Sequence, residues 1–413
     1  MTETAPMDTS DAATQIRAIA ETCVKCGLCI ERCPSYRVLQ REQDSPRGRI
    51  ALAAALAHGQ LAADDSTALA ALDRCLNCGT CTRVCPADVD FNRLIDLTRA
   101  TFPSPAPAAR QGARWLTRHR GALRVLRPIA RALVRTRLRQ LLPRTSAAAA
   151  MVDVLSATSR NADAPPVPDY TPATAPRRGS VALFRGCVAG TLDADTQQAA
   201  VQVLGRLGFD VHMPAANHCC GALDRHQGLV QAAATRASDA QARYRAAPVS
   251  HVLGTASGCH AQLRERVFAG TPLAFDDLFA FLDRDEVLPT LSHRPLALRV
   301  ALHVPCTQRD IVGSGAALLR VLARIPQLEI EQLPEEPACC GAAGTYFSDH
   351  PQVANALRSE RVAQIGGSLP ARVLSTNFGC RMHLAAGLAD AGLGVTVVHP
   401  ISLLEIALRE SAT

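Results

Sequence analysis

Aromatic side chains make up only 4% of the 413 residues, with one Trp, four Tyr and ten Phe. No aromatic-rich RNA-binding motif and no helix-turn-helix signature is visible, so no nucleic-acid partner is expected. Long apolar runs are missing too. No stretch approaches about 18 uninterrupted apolar residues, so no membrane-spanning helix is expected. The N-terminal MTETAPMDTSDAATQ is polar and acidic. It lacks the basic start and apolar core of a signal peptide, and a cytoplasmic location is expected. No GxGxxG follows a strand near the start, so no flavin- or dinucleotide-binding fold is legible. There is no Ser/His/Asp or paired-carboxylate constellation either, and no catalytic residue is assigned. Acidic residues are absent from 110–144, which hold eleven arginines. Those eleven exceed the net charge of +7, so the rest of the chain is acidic and the basic character is local.

Cysteine, by contrast, is abundant. Sixteen occur in a chain too long to be a small disulfide-stapled fold, which points to metal or redox chemistry with reduced thiols. Eight form two runs, CVKCGLCIERCP over 23–34 and CLNCGTCTRVCP over 75–86. Each has the spacing C-x2-C-x2-C-x3-C-P, the ligand run of bacterial two-cluster ferredoxins. Three thiolates on one tight loop can hold three irons of a cubane. The fourth, at the start of the next helix, reaches across to the other cluster. The spacing therefore assigns one [4Fe–4S] cluster to Cys23, Cys26, Cys29 and Cys85, and the other to Cys75, Cys78, Cys81 and Cys33. Zinc knuckles or disulfides are the alternative, and zinc needs no such triple run.

The length suits two or three domains. The expected fold is a multidomain α+β and α/β arrangement: a helical, ferredoxin-like two-cluster head over 1–101, a connector over 102–179, and two repeated α/β halves over 180–295 and 296–413. Residues 1–15 read as frayed, and a helix is predicted over 14–22. Ser45-Pro46 reads as a helix start, Ser as N-cap and Pro at the first helical position, with the helix over 46–58. Further helices are predicted over 65–74 and 89–101. Arg47 and Arg49 either support a cluster electrostatically, bind a partner, or sit on the surface in solvent.

FPSPAPAARQG (102–112) reads as a Pro/Ala linker. Residues 113–142 predict a basic helical stretch interrupted at Pro128. Arg120, Arg124, Arg127, Arg131, Arg135 and Arg139 fall on one face of it. Such a helix either lies on an anionic membrane surface, as a peripheral contact, or packs on the body or a partner subunit. NADAPPVPDYTPATAPRRG (161–179) reads as a second linker.

The remaining cysteines mark an internal repeat. In the first half VALFRGC ends at Cys187, then come Cys219-Cys220-Gly221 and TASGC ending at Cys259. In the second RVALHVPC ends at Cys306, then come Cys339-Cys340-Gly341 and STNFGC ending at Cys380. The intervals are 32 and 40 residues in the first half and 33 and 41 in the second. Each half predicts helices over 191–207 and 228–246 (314–324 and 351–365) alternating with strands over 208–213 and 249–256 (328–333 and 371–376). Alternation implies a parallel α/β layer in each half. Strand ends gather on one edge of such a layer, which would bring together Cys187, Cys219, Cys220 and Cys259, and likewise Cys306, Cys339, Cys340 and Cys380. Converging thiols suit a further iron–sulfur cluster or zinc; buried inert thiols and a dithiol relay remain the alternatives. His260 and His383 lie near the last cysteine of each half and are weaker ligand candidates.

This order of parts resembles the family of iron–sulfur subunits of bacterial glycolate oxidases (glycolate dehydrogenases), from about Cys23 to Leu408. The matching stretches are CVKCGLCIERCP, DSPRGRI, DRCLNCGTCTRVCP, HCCGALDRH, TASGC, CCGAAGTYFSDHP and NFGCRMHLAAG. The repeat looks like the cysteine-rich "CCG" domain shared with heterodisulfide reductase subunits, the anchor subunit of anaerobic glycerol-3-phosphate dehydrogenase and lactate-utilisation proteins. Several of those relatives carry a fifth cysteine in each repeat. Here Cys259-His-Ala-Gln262 and Cys380-Arg-Met-His383 lack it, and the unusual clusters of heterodisulfide reductases are not carried over. The resemblance implies an electron-transfer subunit that is not catalytic alone. It implies as partners an FAD-containing catalytic subunit that oxidises glycolate to glyoxylate and a second flavin-domain subunit, with a quinone as acceptor. D-lactate or another 2-hydroxy acid is the alternative substrate, and a zinc-containing docking module is the alternative of another class.

Overall fold

A computed structural model describes residues 9–158, 167–214, 218–288, 294–335 and 339–408. The head is helical: α1 (Thr9–Glu21), α2 (Pro34–Leu39), α3 (Pro46–Ala57), α4 (Ser66–Asp73), α5 (Thr80–Arg83) and α6 (Phe91–Thr101). Ile16, Ala53, Leu72, Leu94 and Ile95 form its core. The Ser45 hydroxyl accepts from Gly48 N at the start of α3, with Pro46 first in the helix, as the sequence predicts. Asp65 caps α4 and Asp90 caps α6 in the same way. Residues 9–15 are helical rather than frayed, and 1–8 lie outside the described residues. Cys33 is the N-cap residue of α2, as expected for a fourth ligand. Cys85 is not at a helix start. It opens a turn through Asp88 at φ +49°, because the Asp90 cap delays α6 to Phe91.

The connector is α7 (Ala108–Arg118), α8 (Arg120–Arg135) and α9 (Ala147–Ser156). The helix break falls at His119 (φ −112°, ψ 83°), not at Pro128, which lies inside α8. Pro128 faces solvent, where the Arg124 carbonyl that loses its donor can be hydrated. The arginine face is also split. Arg127 is buried, and Arg139 forms a forked pair with Asp153 of α9 (2.5 Å to each oxygen). The sequence reading passed over α9, whose signal is the Ser146 cap ahead of four alanines.

The first half of the body contains β1 (Tyr170–Thr171), β2 (Gly179–Leu183), α10 (Ala189–Leu192), α11 (Ala194–Arg206), β3 (Phe209–His212), α12 (Ala222–His226), α13 (Val230–Arg245), β4 (His251–Gly254), α14 (Ser257–Gln262), β5 (Ala274–Asp277) and α15 (Leu278–Leu282). The second contains β6 (Leu298–Leu302), α16 (Gly315–Ala323), β7 (Leu328–Gln332), α17 (Tyr346–Asp349), α18 (Pro351–Ser368), β8 (Arg372–Leu374), α19 (Phe378–Asp390), β9 (Thr396–Val398) and α20 (Pro400–Ala407). The sheets run β1-β3-β2-β4-β5 and β7-β6-β8-β9. Apart from the antiparallel edge strand β1, which the sequence reading left inside a linker, both are parallel and share one order. The halves share a core that includes Leu183, Leu204, Leu253, Phe279, Leu302, Leu322, Leu374 and Leu404.

In each sheet the chain leaves the central strand on one side and returns on the other. That makes the carboxyl ends of β2 and β4, and of β6 and β8, topological switch points, where open α/β sheets form their crevices. Cys187 and Cys259 follow β2 and β4, and Cys306 and Cys380 follow β6 and β8.

Candidate metal centre

The two cysteine runs curl alike. Lys25 and Asn77 hold equivalent left-handed positions, φ 56° and 51°, between the first two cysteines of each run. The curl turns the cysteines of each run inward. One cavity is lined by Cys23, Cys26, Cys29 and Cys85. A second is lined by Cys33, Cys75, Cys78 and Cys81. The first cavity thus takes three thiols from the first run and Cys81 and Cys85 from the second, and the second cavity takes three from the second run and Cys33 from the first. Cys81, Pro46 and Phe91 border both cavities, so the two are neighbours.

Neither cavity has a carboxylate or imidazole in its lining. All-thiol donor sets are soft and suit iron–sulfur clusters or zinc. Burial pushes the Cys29 thiol up to about 11 and raises Cys78 and Cys81 further. Thiolates in such places need a cation to stabilise them, which a bound metal supplies. Phe91, Ile50 and Val89 supply apolar walls. The residues thus fit a cluster in each cavity.

Positive charge is unevenly placed. Arg49 is 1% exposed and lines the second cavity, which corrects the surface alternative for it. It reaches Cys33 Sγ (3.7 Å), the Ala71 carbonyl (2.8 Å), Ser35 Oγ (3.0 Å) and Asp44 (3.3 Å). Arg47 borders the first cavity but stays on the surface, paired with Glu42 at 2.7 Å.

The body thiols converge as the repeat predicts. Cys187, Cys219, Cys220 and Cys259 form a hydrogen-bonded chain. Cys306, Cys339, Cys340 and Cys380 form its counterpart. Hydrogen bonds from the Cys187 and Cys220 thiols pull Cys219 well below the usual thiol range, whereas Cys187, Cys220, Cys306, Cys339, Cys340 and Cys380 are all pushed up. All eight line one cavity of about 840 Å³. His260 and His383 are not among its lining. His260 lies against Phe275, and His383 Nε2 meets the Ala354 carbonyl at 3.3 Å. Burial lowers them to about 4 and about 3.

The glycine after each cysteine pair is a close-approach position. Gly341 has φ +82°, and a Cβ there would lie 2.5 Å from the Ala354 carbonyl oxygen; Gly221 repeats this against Ala233 at 2.7 Å. Gly341→Ala should cost about 1–2 kcal/mol from backbone conformation alone, with the clash added. Urea unfolding checks the loss, and loss of metal from the body checks the displacement of Cys339 and Cys340.

Cys75 and Cys78 of the second head cavity also line the large body cavity, and Cys78 faces Cys306 and Cys339. Thr80 donates to Asp310 (2.8 Å), Arg83 pairs with Asp310 (2.8 Å), and the Tyr346 hydroxyl donates to the Arg74 carbonyl (3.2 Å). On the other side Asp96 of α6 meets Arg225 (2.9 Å) and His226 (3.1 Å). Arg110 of the connector joins Asp73 of the head to Asp349 of the body. The second head loop is thus wedged between the two halves. Sequence reasoning missed Asn77, Asp96, His226 and His350. A signal for the histidines was present: each ends the turn after Cys-Cys-Gly and precedes the next long helix.

Comparison with known families agrees with this division. The chain matches the 4Fe-4S dicluster domain over 19–89 and the cysteine-rich domain over 181–264 and 300–385. It is 32% identical to the glycolate oxidase iron-sulfur subunit of Escherichia coli, over 96% of each chain. It is 27% identical to the probable glycolate oxidase iron-sulfur subunit of Bacillus subtilis, over 92% of each. To lactate utilization protein A of Oceanobacillus iheyensis it is 23% identical, over 54% of this chain and 96% of the relative.

Proposed function

The chain belongs to the family of glycolate oxidase iron–sulfur subunits, and from that premise we propose that it carries electrons within a glycolate dehydrogenase complex, between the flavin of an FAD-containing subunit and a quinone. A second flavin-domain subunit completes the assembly. Bound [4Fe–4S] clusters supply one-electron acceptance and donation. Cys23, Cys26, Cys29 and Cys85 hold one of two such clusters, and Cys33, Cys75, Cys78 and Cys81 hold the other. The eight body cysteines hold further metal, as an additional cluster or zinc. The observation that carries this reading is the position of Cys78, which borders both the second head cavity and the cavity of the body thiols.

The substrate pocket lies on the partner, so the test is of the complex. Co-purified with its partners, the protein should support dye reduction with glycolate; preference for D-lactate would move the assignment to another 2-hydroxy acid. Metal analysis tests the body: iron beyond the eight atoms of two cubanes supports a further cluster, and two zincs beside eight irons support a zinc site.

The complex works at the cytoplasmic face of a membrane in this reading. No helix among the described residues is long and apolar enough to cross one. Trp115, Val125, Ile129, Leu138 and Leu141 of the connector are exposed, beside the exposed Arg124, Arg135 and Arg137. Apolar and basic side chains mixed on one surface suit an anionic interface. The protein should sediment with vesicles containing anionic lipid at low salt and release at high salt. Absence of binding at low salt would assign this surface to a partner subunit.

A further inference from the structure

The two halves of the body repeat one another, but the head does not meet them alike. Gly79, between Cys78 and Cys81, has φ +78° and lies on the turn that follows Cys306 (Thr307–Val312). A Cβ there would stand 3.1 Å from Ile311 Cγ1. Thr80 and Arg83 of the same head loop both hold Asp310 of that turn, at 2.8 Å each. The Tyr346 hydroxyl donates to the carbonyl of Arg74, the residue before Cys75. Packing agrees with these contacts. Cys78, Cys306, Cys339 and Tyr346 belong to one apolar cluster, with Leu76 and Phe347.

The thiols of the first half have other neighbours. Cys220 and Cys259 pack with Phe184, Tyr244 and Phe268 in a separate cluster. Cys219 lies beside Arg236, which pairs with Asp224. Asp224 also faces Arg114 (3.4 Å) and Arg118 (3.5 Å) of the connector. The head meets this half through polar side chains, Asn77 with His226 (2.7 Å) and Asp96 with Arg225 (2.9 Å). The connector is therefore the neighbour of the first thiol set, and the second head loop is the neighbour of the second set.

This inequality bears on where an electron goes. Cys33, Cys75 and Cys81 are buried, and Cys78, less buried than they are, turns towards Cys306 and Cys339. Electron transfer falls steeply with distance, so the nearer set is the one that is used. We propose that electrons leave the second head cavity for the second half of the body, from Cys78 across to Cys306 and Cys339, and that the first half does not take part in this step. One electron leaves the [4Fe–4S] cluster held by Cys33, Cys75, Cys78 and Cys81, which is oxidised. An iron–sulfur group held by Cys306, Cys339, Cys340 and Cys380 is reduced; no bond forms or breaks and no proton moves. Four thiols are a soft set that suits such a group. Zinc has no redox chemistry and could not serve. The inference rests on the electron-transfer reading above and orders the stations within it.

EPR of the metal-loaded, full-length protein, kept reduced by dithionite, tests this without turnover. The signal of the second head cluster is the one that Cys33→Ser removes. The readout is the magnetic broadening of that signal by other reduced groups. Cys339→Ser breaks the second thiol set and should remove the part of the broadening that comes from the body, with loss of iron. Cys259→Ser breaks the first set and should leave the broadening in place. The first head cluster contributes equally to both variants, so their difference reports the body. Cys306→Ser breaks the second set from another loop and should repeat the result of Cys339→Ser, which guards against a folding failure at one position. Broadening that is lost in Cys259→Ser and kept in Cys339→Ser, or that is equal in the two, overturns the order. Zinc rather than iron lost from Cys339→Ser overturns the step. Glycolate-driven reduction of the head clusters in the assembled complex scores the underlying reading separately. Head clusters that are reduced, with either overturning result, remove this step and leave the electron-transfer role standing; head clusters that glycolate does not reduce remove the role itself.

Discussion

Replacing Cys78 by serine in the assembled complex should cut glycolate-driven quinone reduction by about 100-fold or more, at or beyond the upper range for loss of a metal site's outer partners. Flavin reduction on the partner should continue at its normal rate. Cys78 borders the second head cavity with Cys33, Cys75 and Cys81, and it is the thiol that faces Cys306 and Cys339. Serine offers a hard oxygen where the site is built from soft sulfur, so the four-ligand set is broken. In the proposed complex the flavin lies on another chain, so its own reduction should not depend on Cys78. Stopped-flow spectroscopy separates the two rates. Full quinone reduction by the variant would show that electrons bypass this cavity.

Arg49→Met should act on stability and on redox poise together. The guanidinium is buried between Cys33, Ser35, Asp44 and the Ala71 carbonyl, and so ties the first run to the helix that leads into the second. Asp44 is fully buried and shared with Arg74. Removing one partner from a buried ion pair typically costs about 3–5 kcal/mol. The retained Arg74 contact places the expected loss near the lower figure, and urea unfolding reads it. A fixed positive charge beside Cys33 and Cys75 also favours the more negative, reduced state of a group held there. The reduction potential assigned to the second head cavity should therefore fall in the variant, while that of the first, bordered by the exposed Arg47, should stay in place. Arg49→Lys keeps the charge but loses the fork, so it should restore the potential better than the stability. An EPR-monitored redox titration distinguishes these outcomes; unchanged potentials in Arg49→Met would make the residue purely structural.

Much of this site is written in local pattern. The C-x2-C-x2-C-x3-C-P spacing constrains a tight loop, so the eight cysteines that line the two cavities are legible in the sequence, whereas their other walls, Ile50, Val89 and Phe91 among them, are not. The Cys…Cys-Cys-Gly…Cys repeat was legible for a similar reason. Alternating strands and helices force a parallel layer, and its switch point collects the loop cysteines. What escaped depends on contacts far apart in sequence. Arg49 and Arg47 are two residues apart in one motif, and only packing against α4 decides that one is buried and the other exposed. Pro128 reads as a break, yet it stands on the solvent side of α8 where a lost hydrogen bond is tolerated. His260 and His383 read as neighbours of thiols because they adjoin cysteines in sequence. On α14 and α19 their side chains turn into the apolar core instead. Asn77 and Gly79 acquire meaning only where the head meets the body.

The most direct test of the electron-transfer account is rapid-freeze EPR of the complex mixed with glycolate and a quinone. The account predicts that reduced-cluster signals rise after the flavin is reduced and before hydroquinone accumulates. Hydroquinone formed while the clusters stay oxidised, with flavin turning over normally, would contradict it.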